Sequence, residues 1–169
     1  VDYDKSLNTL YDRVNGEFGD TIEFQSGDMR DLKNIKDSSV DLAYSVSVLE
    51  HTNSYVTVLK EIHRILKKGG QLSLTFDISL DGLDDIPLAR AEKLVAAIEA
   101  VFDTKVSVDL TRDITKPDLV TSGAMAKKDK SLMPWKYPML NVVKHLLHHG
   151  KFGRRYKKLT FCCLTITKK

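Results

Sequence analysis

Acidic side chains recur directly after the predicted strands of this 169-residue chain. Asp2 follows the end of the first such strand, and Asp28 follows a predicted strand at residues 21–25. Asp77 follows a third, at residues 71–76. Ligands of open α/β sheets bind outside the carboxyl ends of the strands. A carboxylate there suits the paired hydroxyls of a ribose (Asp2) or the amino group of an adenine (Asp28). Each aspartate alone is also typical of a turn or helix cap, but their joint placement favours a nucleoside ligand.

Glu50 and His51 follow another predicted strand and are the best candidates for a general base or a substrate contact. The alternative is that both residues simply begin the next helix. A metal role for this pair lacks further ligands. His145, His148 and His149 form a second cluster, but i, i+3, i+4 spacing without a carboxylate partner is more typical of a helix face. The sequence therefore predicts no metal site.

The unit that positions Glu50 and His51 is a β-α-β segment over residues 40–76. Apolar and polar residues alternate from Val40 to Ser45, where the first strand is expected to end. A helix with apolar residues at helical spacing follows, and the second strand covers residues 71–76. The helix is expected to begin after Ser54 as N-cap. Its end is indicated by Lys67 and Lys68 in the last turn and by Gly69 and Gly70 at a left-handed C-cap. So short a crossover requires parallel strands.

Further elements are expected on both sides of this unit: helices at residues 7–18, 85–102 and 139–149, and strands at residues 21–25, 106–110 and 159–167. Their order predicts an α/β fold with a largely parallel sheet flanked by helices, in a single domain over residues 1–169. Residues 111–137 are polar, basic and interrupted by prolines. A segment of this length is long for a structureless loop, which indicates that it is functional or mobile. Trp135 and Tyr137 in it either line a pocket or anchor the loop.

The carboxyl-terminal third of the chain is strongly basic. Residues 121–169 hold twelve Lys or Arg residues and one acidic residue, Asp129, so this third carries about +11 and residues 1–120 about −8. Such a segment either meets an anionic partner, such as nucleic acid, a phosphorylated sugar or a lipid headgroup, or is a solvated surface balanced by the acidic remainder.

The cysteines and the hydropathy pattern bear on the setting of the protein. Cys162 and Cys163 are adjacent in a predicted strand, where neighbours point to opposite faces, so we expect reduced core thiols and a cytoplasmic location. No apolar run approaches the roughly 20 residues that a membrane span needs, so no such span is expected.

Four motifs stand in a fixed order along the chain. They are Asp2-Tyr3-Asp4; Gly27-Asp28-Met29 with Leu32; Asp41-Leu42-Ala43-Tyr44-Ser45 followed by Val48-Leu49-Glu50-His51; and LKEIHRILKKGG at residues 59–70. In this order and spacing they resemble the class I S-adenosylmethionine-dependent methyltransferases, a Rossmann-like family with a seven-stranded sheet. The likeness covers residues 1–77 and the terminal strand near residues 159–167.

The resemblance implies S-adenosylmethionine as cofactor and assigns roles position by position. Asp2 would hold the ribose hydroxyls, and Tyr3 would flank the adenine. Asp28 would accept a hydrogen bond from the adenine amino group, while Met29 would offer its backbone N–H to the ring. Ser45 would face the methionine moiety.

One departure from the family concerns glycines. The glycine-rich loop that joins the family's first strand to its first helix has no counterpart, because Gly16 and Gly19 follow a helix rather than a strand. In the family that first strand is central in the sheet. We therefore expect an N-terminally truncated version of the seven-stranded fold, a partial domain with unpaired strand edges.

The function that the resemblance implies is methyl transfer to a small-molecule or glycan acceptor, anionic acceptors included, with residues 111–155 as an insertion that forms the acceptor site. The basic third favours RNA as an alternative acceptor, although no aromatic-basic pattern of an RNA-binding module is present. A third reading is a catalytically inactive methyltransferase-like subunit that scaffolds a partner. A nicotinamide-dependent dehydrogenase is disfavoured because nothing supplies its phosphate-binding loop. The sequence indicates neither the acceptor atom nor the oligomeric state.

Overall fold

The computed structural model describes residues 3–19, 21–23, 25–82, 86–129, 139–150 and 157–169. Its helices are α1 (Tyr3–Glu17), α2 (Tyr55–Ile65), α3 (Leu88–Phe102), α4 (Leu110–Asp113), α5 (Ser122–Lys128) and α6 (Met139–His149). A 3-10 turn covers Leu49–His51. The strands are β1 (Val40–Val46), β2 (Leu66–Ser79), β3 (Ile86–Pro87) and β4 (Leu159–Thr167).

Strand β2 is the centre of the sheet. β1 runs parallel to it, with Leu42 opposite Gln71 and Val46 opposite Thr75. β4 runs antiparallel along the other edge of β2, and β3 pairs in parallel with the end of β2. Because β4 occupies its own edge of β2 to the end, β3 must continue the β1 edge. The predicted α/β class with a largely parallel sheet is confirmed, with β4 as the antiparallel member.

The predicted β-α-β unit is confirmed as β1, α2 and β2, but its junctions differ from the expectation. Ser54 precedes α2 as predicted, yet its side chain makes no capping hydrogen bond. α2 ends at Ile65, and Lys67 and Lys68 lie beyond it in β2. Residues 67–70 form an irregularity in which β2 advances from the partner of Val40 to the partner of Leu42.

The two glycines of this irregularity have different reasons to be there. Gly69 has the predicted left-handed backbone, with φ of 78°, although it lies in β2 rather than at a helix cap. A Cβ on Gly70 would lie 2.9 Å from the carbonyl oxygen of Lys67 and 3.1 Å from that of Val40. Only glycine allows the backbone this close approach.

The hydrophobic core lies between the sheet and the helices α2 and α3. Alternate residues of β2 point into it and are at most 1% exposed: Leu72, Leu74, Phe76 and Ile78. Cys162, Leu164 and Ile166 of β4 extend this face of the sheet, and Leu59, Leu94, Ile98 and Phe102 supply the helical side. The period-2 pattern of β2 and β4 and the helical period of α2 and α3 thus meet in one core.

The opposite side of the sheet, here called the open face, carries exposed apolar side chains. Leu42, Tyr44 and Val46 of β1 are 57%, 79% and 63% exposed, and Phe161 of β4 is 54% exposed. Among the described residues, no strand pairs with the outer edge of β1. Parallel sheets ordinarily have both faces covered, so this side of the molecule is the less complete one.

The strand predicted at residues 21–25 is wrong: its described residues, 21–23 and 25, adopt no strand. The backbone of Ile22 is satisfied by α1 instead. Its N–H donates to Oδ1 of Asn15 at 2.7 Å, and its carbonyl oxygen accepts a hydrogen bond from the hydroxyl of Tyr11. Side chains of the preceding helix therefore replace the neighbouring strand that a sheet would require.

The strand predicted at residues 106–110 is also wrong. The N–H of Val106 donates to Oε1 of Glu99 at 3.0 Å. Asp109 caps α4, because its Oδ1 accepts from the N–H of Arg112 at 3.0 Å. Backbone groups that a strand would pair are thus used by α3 and α4. Residues 111–137 were expected to be irregular, but α4 and α5 occupy part of this range.

The cysteines face opposite sides of β4 as predicted, and both are free thiols. Cys162 is buried in the core, but Cys163 is exposed, so the expectation of two core thiols is wrong for Cys163. Within the described ranges, no helix combines the length and the apolar character that would be needed to cross a membrane.

Candidate functional site

The carboxyl ends of β1 and β2 lie side by side, and the segment after β1 crosses this edge of the sheet. The N–H of Ser47 still donates to the carbonyl oxygen of Thr75 at 3.0 Å, so the ladder continues two residues beyond the predicted end at Ser45. Ser47 then takes a left-handed backbone with φ of 51°, which is uncommon outside glycine. The chain turns there into the 3-10 turn Leu49–His51.

Glu50 joins the two strand ends. Its side chain is buried, and the residue is 2% exposed. Oε1 accepts a hydrogen bond from the backbone N–H of Asp77 at 3.0 Å. Oε2 is also enclosed, but it has no hydrogen-bond partner. Buried carboxylate oxygens are ordinarily paired, so Glu50 holds an acceptor whose donor the described residues do not supply.

His51 is next to Glu50 in sequence but has a different environment. It is exposed, while Glu50 is buried, so the two predicted catalytic residues do not form a pair of facing side chains. The segment that carries His51 is held by Arg90 of α3. Nη2 of Arg90 donates to the carbonyl oxygen of Thr52 and to Oδ1 of Asn53, both at 3.0 Å. Sequence reasoning missed Arg90, because no local pattern links it to a turn 38 residues earlier.

The loop at residues 25–35 lines a shallow pocket of about 230 Å³, with Asp28 and Met29 in its wall. Both carboxylate oxygens of Asp28 accept from Arg30, whose Nη2 lies 2.5 Å from Oδ2. These hydrogen bonds lower the pKa of Asp28 to about 2. Asp28 is therefore a carboxylate at neutral pH, and a ligand would have to share it with Arg30.

Glu61 and Arg64 of α2 fasten the same loop, and sequence reasoning missed them too. Oε2 of Glu61 accepts from the N–H of Leu32 at 2.9 Å. Arg64 donates to the carbonyl oxygens of Leu32 and Ile35 at 2.9 and 3.0 Å and forms an ion pair with Asp37. The Arg64 guanidinium and the Leu32 N–H lower the pKa of Glu61, so the ion pair between Glu61 and Arg64 is charged at neutral pH. The loop of Asp28 is thus fastened to α2, the helix that follows the turn of Glu50.

The structure positions the other predicted cofactor residues only in part. Asp2 lies outside the described residues. Tyr3, expected in a loop after a strand, is instead the first residue of α1, and its side chain is not described. Ser45 is half-buried and opposite Leu74, on the core-facing side of the sheet. Trp135 and Tyr137 lie outside the described residues, as do the side chains of His145, His148 and His149.

The residues at this edge fit the cofactor that the resemblance implies at one observed point. The amino-acid end of S-adenosylmethionine carries two positive groups, an ammonium and a sulfonium, beside one carboxylate. The unpaired, enclosed Oε2 of Glu50 is an anionic acceptor at the strand ends, where ligands of α/β sheets bind. Within the described part of the chain, no group of three or more His, Cys, Asp or Glu side chains is arranged to hold a metal ion.

The chain is similar in sequence to known methyltransferases. Residues 1–74 match the family model described as a methyltransferase domain. The chain is 26% identical over 164 residues to a sterol 24-C-methyltransferase of Yarrowia lipolytica, covering 86% of this chain and 38% of that protein. It is 25% identical over 143 residues to a sterol 24-C-methyltransferase of Eremothecium gossypii, covering 82% of this chain and 37% of that protein.

The chain therefore spans less than half the length of these curated relatives. Among solved structures, the YcgJ protein of Bacillus subtilis is similar with a TM-score of 0.49 and 13% identity, covering 94% of this chain and 76% of that one. The segment that carries Asp2, Asp28, Glu50 and His51 is the segment that the family model matches. Residues 1–74 thus match the methyltransferase domain, and the sequence motifs in this range are those that resemble the class I S-adenosylmethionine-dependent methyltransferases.

Proposed function

We propose that this chain contributes the cofactor edge and part of the acceptor site of an S-adenosylmethionine-dependent methyltransferase that acts on a small-molecule acceptor. The match of residues 1–74 to the methyltransferase domain carries the proposal. The acceptor class is supported by the curated relatives, whose names state methylation of a sterol, a small molecule. A glycan is the alternative acceptor within the same proposal.

The bound cofactor supplies an electrophilic methyl group on its sulfonium. Because transfer from a sulfonium often requires only alignment of the acceptor, the main task of the chain is positioning. Glu50 ties the ends of β1 and β2 together through Asp77, and Arg90 holds the turn beyond it. We assign to His51, which is exposed at the end of the 3-10 turn, the role of taking a proton from an acceptor hydroxyl or amine.

The cofactor residues Asp2, Tyr3, Asp28, Met29 and Ser45 belong to this proposal in the roles given above. The acceptor site is assigned to residues 111–155, which include most of α4 and all of α5 and α6. These helices lie in sequence between β3 and β4, and in α/β proteins the segments that connect the strands are where acceptor binding is ordinarily built.

A methyl-transfer assay on the natural full-length protein tests the proposal. Labelled S-adenosylmethionine is offered with sterols, with small glycans and with RNA, and products are identified by mass spectrometry. We expect transfer to one of the small-molecule classes and a rate loss of roughly 10²- to 10⁴-fold in His51→Asn if His51 acts as the base. Transfer to RNA alone would assign the basic third to nucleic acid and contradict the small-molecule proposal. No cofactor binding would contradict both.

A further inference from the structure

We propose that Glu50 binds the α-ammonium group of S-adenosylmethionine through Oε2, an inference that rests on the proposed function. Oε1 is already used by the N–H of Asp77, whereas Oε2 is enclosed without a hydrogen-bond partner. A buried carboxylate is strongly disfavoured unless a cation or several donors pair with it. The chain therefore holds an acceptor site of defined charge at the edge where the cofactor is expected.

The cationic side chain bonded to the segment after Glu50 is already used. Arg90 donates to the carbonyl oxygen of Thr52 and to Oδ1 of Asn53 rather than to Glu50. Oε2 is therefore available to a ligand that brings its own positive charge.

The ammonium is the ligand group that matches Oε2 in both charge and hydrogen bonding. The sulfonium carries charge but no N–H or O–H, while the ribose hydroxyls and the adenine amino group donate but are neutral. An ammonium offers three donors and a positive charge, and a charge-assisted hydrogen bond is about twice as strong as a neutral one.

Access to Oε2 requires a movement of the turn that encloses it. That turn is held by two short-range backbone bonds, from the N–H of His51 to Val48 at 3.0 Å and from the N–H of Thr52 to Leu49 at 3.3 Å, and its far end by Arg90. Ser47, in its left-handed conformation, precedes it directly. A shift of this turn admits the ammonium and then covers the ion pair again.

The test compares two ligands on two proteins by titration calorimetry with the natural full-length protein. S-adenosylhomocysteine carries the ammonium, and methylthioadenosine has the same nucleoside without the amino-acid end. Glu50→Gln keeps Oε1 as acceptor for Asp77 but loses the charge. We expect this variant to bind S-adenosylhomocysteine roughly 10- to 150-fold more weakly and methylthioadenosine within about twofold of the wild type.

Thermal unfolding without ligand is the second measurement. Removal of an unpaired buried charge should leave the Tm of Glu50→Gln unchanged or raised, although the affinity falls. Unchanged affinity for S-adenosylhomocysteine, or an equal loss for both ligands, would overturn the assignment, because Glu50 would then act only through Asp77. If both Glu50→Gln and Glu50→Leu fail to fold, Glu50 is structural and the inference is wrong. If the wild type binds neither ligand, the proposed function fails first and the inference with it.

Discussion

Arg90 of α3 donates a hydrogen bond to the carbonyl oxygen of Thr52, at 3.0 Å, and so ties a helix to the turn that follows Glu50 and His51. The donor is charged and the contact is partly buried, and the same guanidinium nitrogen also bonds to Asn53. Hydrogen bonds to charged groups contribute more than neutral ones, about 1.5–3 kcal/mol when buried. Arg90 therefore makes the position of the turn depend on the packing of α3.

We expect Arg90→Leu to lower the free energy of unfolding by about 1–2 kcal/mol, because two acceptors lose a charged donor. Urea unfolding measures the change through the midpoint. The matched control is Arg112→Leu, which alters a more exposed arginine of α4 with an exposed ion pair to Asp113. The control should stay within about 0.5 kcal/mol of the wild type. If both substitutions change the free energy of unfolding equally, the hydrogen bonds of Arg90 to Thr52 and Asn53 do not stabilise the fold.

The β-α-β unit could be predicted because its signals are local: an alternating strand, an apolar helical stripe and paired glycines occur within 37 residues. The strands expected at residues 21–25 and 106–110 could not be rejected from the sequence. Their alternation is real, but Asn15, Tyr11 and Glu99 take the backbone groups that a neighbouring strand would use. Strand pairing depends on what lies beside the segment, and local patterns do not report it.

The candidate site was predicted only as separate residues for a related reason. Glu50 and His51 were identified by their place after a strand, but their opposite exposure follows from the 3-10 turn that contains both of them. The bond of Glu50 to Asp77 and that of Arg90 to Thr52 join residues 27 and 38 positions apart. Such contacts are set by strand register and helix packing, which no short motif contains.

The cofactor edge can be tested at Asp2, whose role comes from the resemblance. A contact between a carboxylate and the ribose hydroxyls is a charge-assisted hydrogen bond worth about 1.5–3 kcal/mol. Asp2→Ala should weaken S-adenosylmethionine binding by roughly 10- to 150-fold in the natural full-length protein, measured by calorimetry. Asp12→Ala, on α1, is the control and should have no effect. Unchanged affinity in folded Asp2→Ala would remove Asp2 from the site.

The basic residues of the carboxyl-terminal third should make acceptor binding depend on salt concentration. If Lys127, Lys128, Arg154 and Arg155 steer an anionic acceptor, acceptor affinity should fall steeply between low and physiological ionic strength. Cofactor affinity should change little over the same range. Lys127 and Lys128 are exposed at the end of α5, while Arg154 and Arg155 lie outside the described residues. If acceptor affinity is independent of salt, these residues do not contact the acceptor and are part of the solvated surface.

His63 should make the fold sensitive to mild acid. Burial, and next the charge of Lys168, lower the pKa of His63, whose ring packs edge-on against Phe102 with centroids 5.1 Å apart. A folded-state pKa below the unfolded value of about 6.5 means that the neutral ring stabilises the fold above that pH. This contribution is lost as the pH falls through 6.5 and below, because the unfolded chain then binds the proton more readily.

Urea midpoints measured between pH 5 and 8 test this point. The loss of stability toward pH 5 should be smaller in His63→Phe than in the wild type, and His51→Gln, at an exposed histidine, should follow the wild type. Parallel curves for all three proteins would show that His63 does not contribute.

The two adjacent cysteines should differ sharply in reactivity. Burial raises the pKa of the Cys162 thiol to about 11, whereas Cys163 is exposed on the other side of β4. Because the thiolate is the reactive form, Cys162 is almost entirely unreactive at pH 8. Brief treatment with iodoacetamide should therefore add one group, at Cys163, and treatment in urea should add two. Peptide mass spectrometry locates the label, and early modification of Cys162 would show that the β4 core opens readily.

The last prediction concerns the outer edge of β1 and the open face beside it. Leu42, Tyr44 and Val46 are exposed, and no described strand pairs with this edge, so the chain of residues 1–169 presents both unpaired backbone groups and apolar surface. Such edges associate unless charges or bulges protect them. We expect light scattering after size-exclusion chromatography to show association that increases with protein concentration. The double variant Leu42→Lys, Tyr44→Lys should reduce it, while Leu10→Lys, on α1, should not.

A chain in which a further strand pairs with β1 should associate less, because its edge would be satisfied and the open face could be covered. If that strand also led into a glycine-rich loop, two or three added hydrogen bonds of about 1 kcal/mol each would change the affinity for S-adenosylmethionine by roughly 30- to 200-fold. Calorimetry on both chains makes the comparison. If residues 1–169 alone form a monomer that binds the cofactor at micromolar concentration, the edge of β1 is already satisfied within this chain. The assignment of Asp2 and Asp28 to the cofactor would then have to be redone from a different strand order.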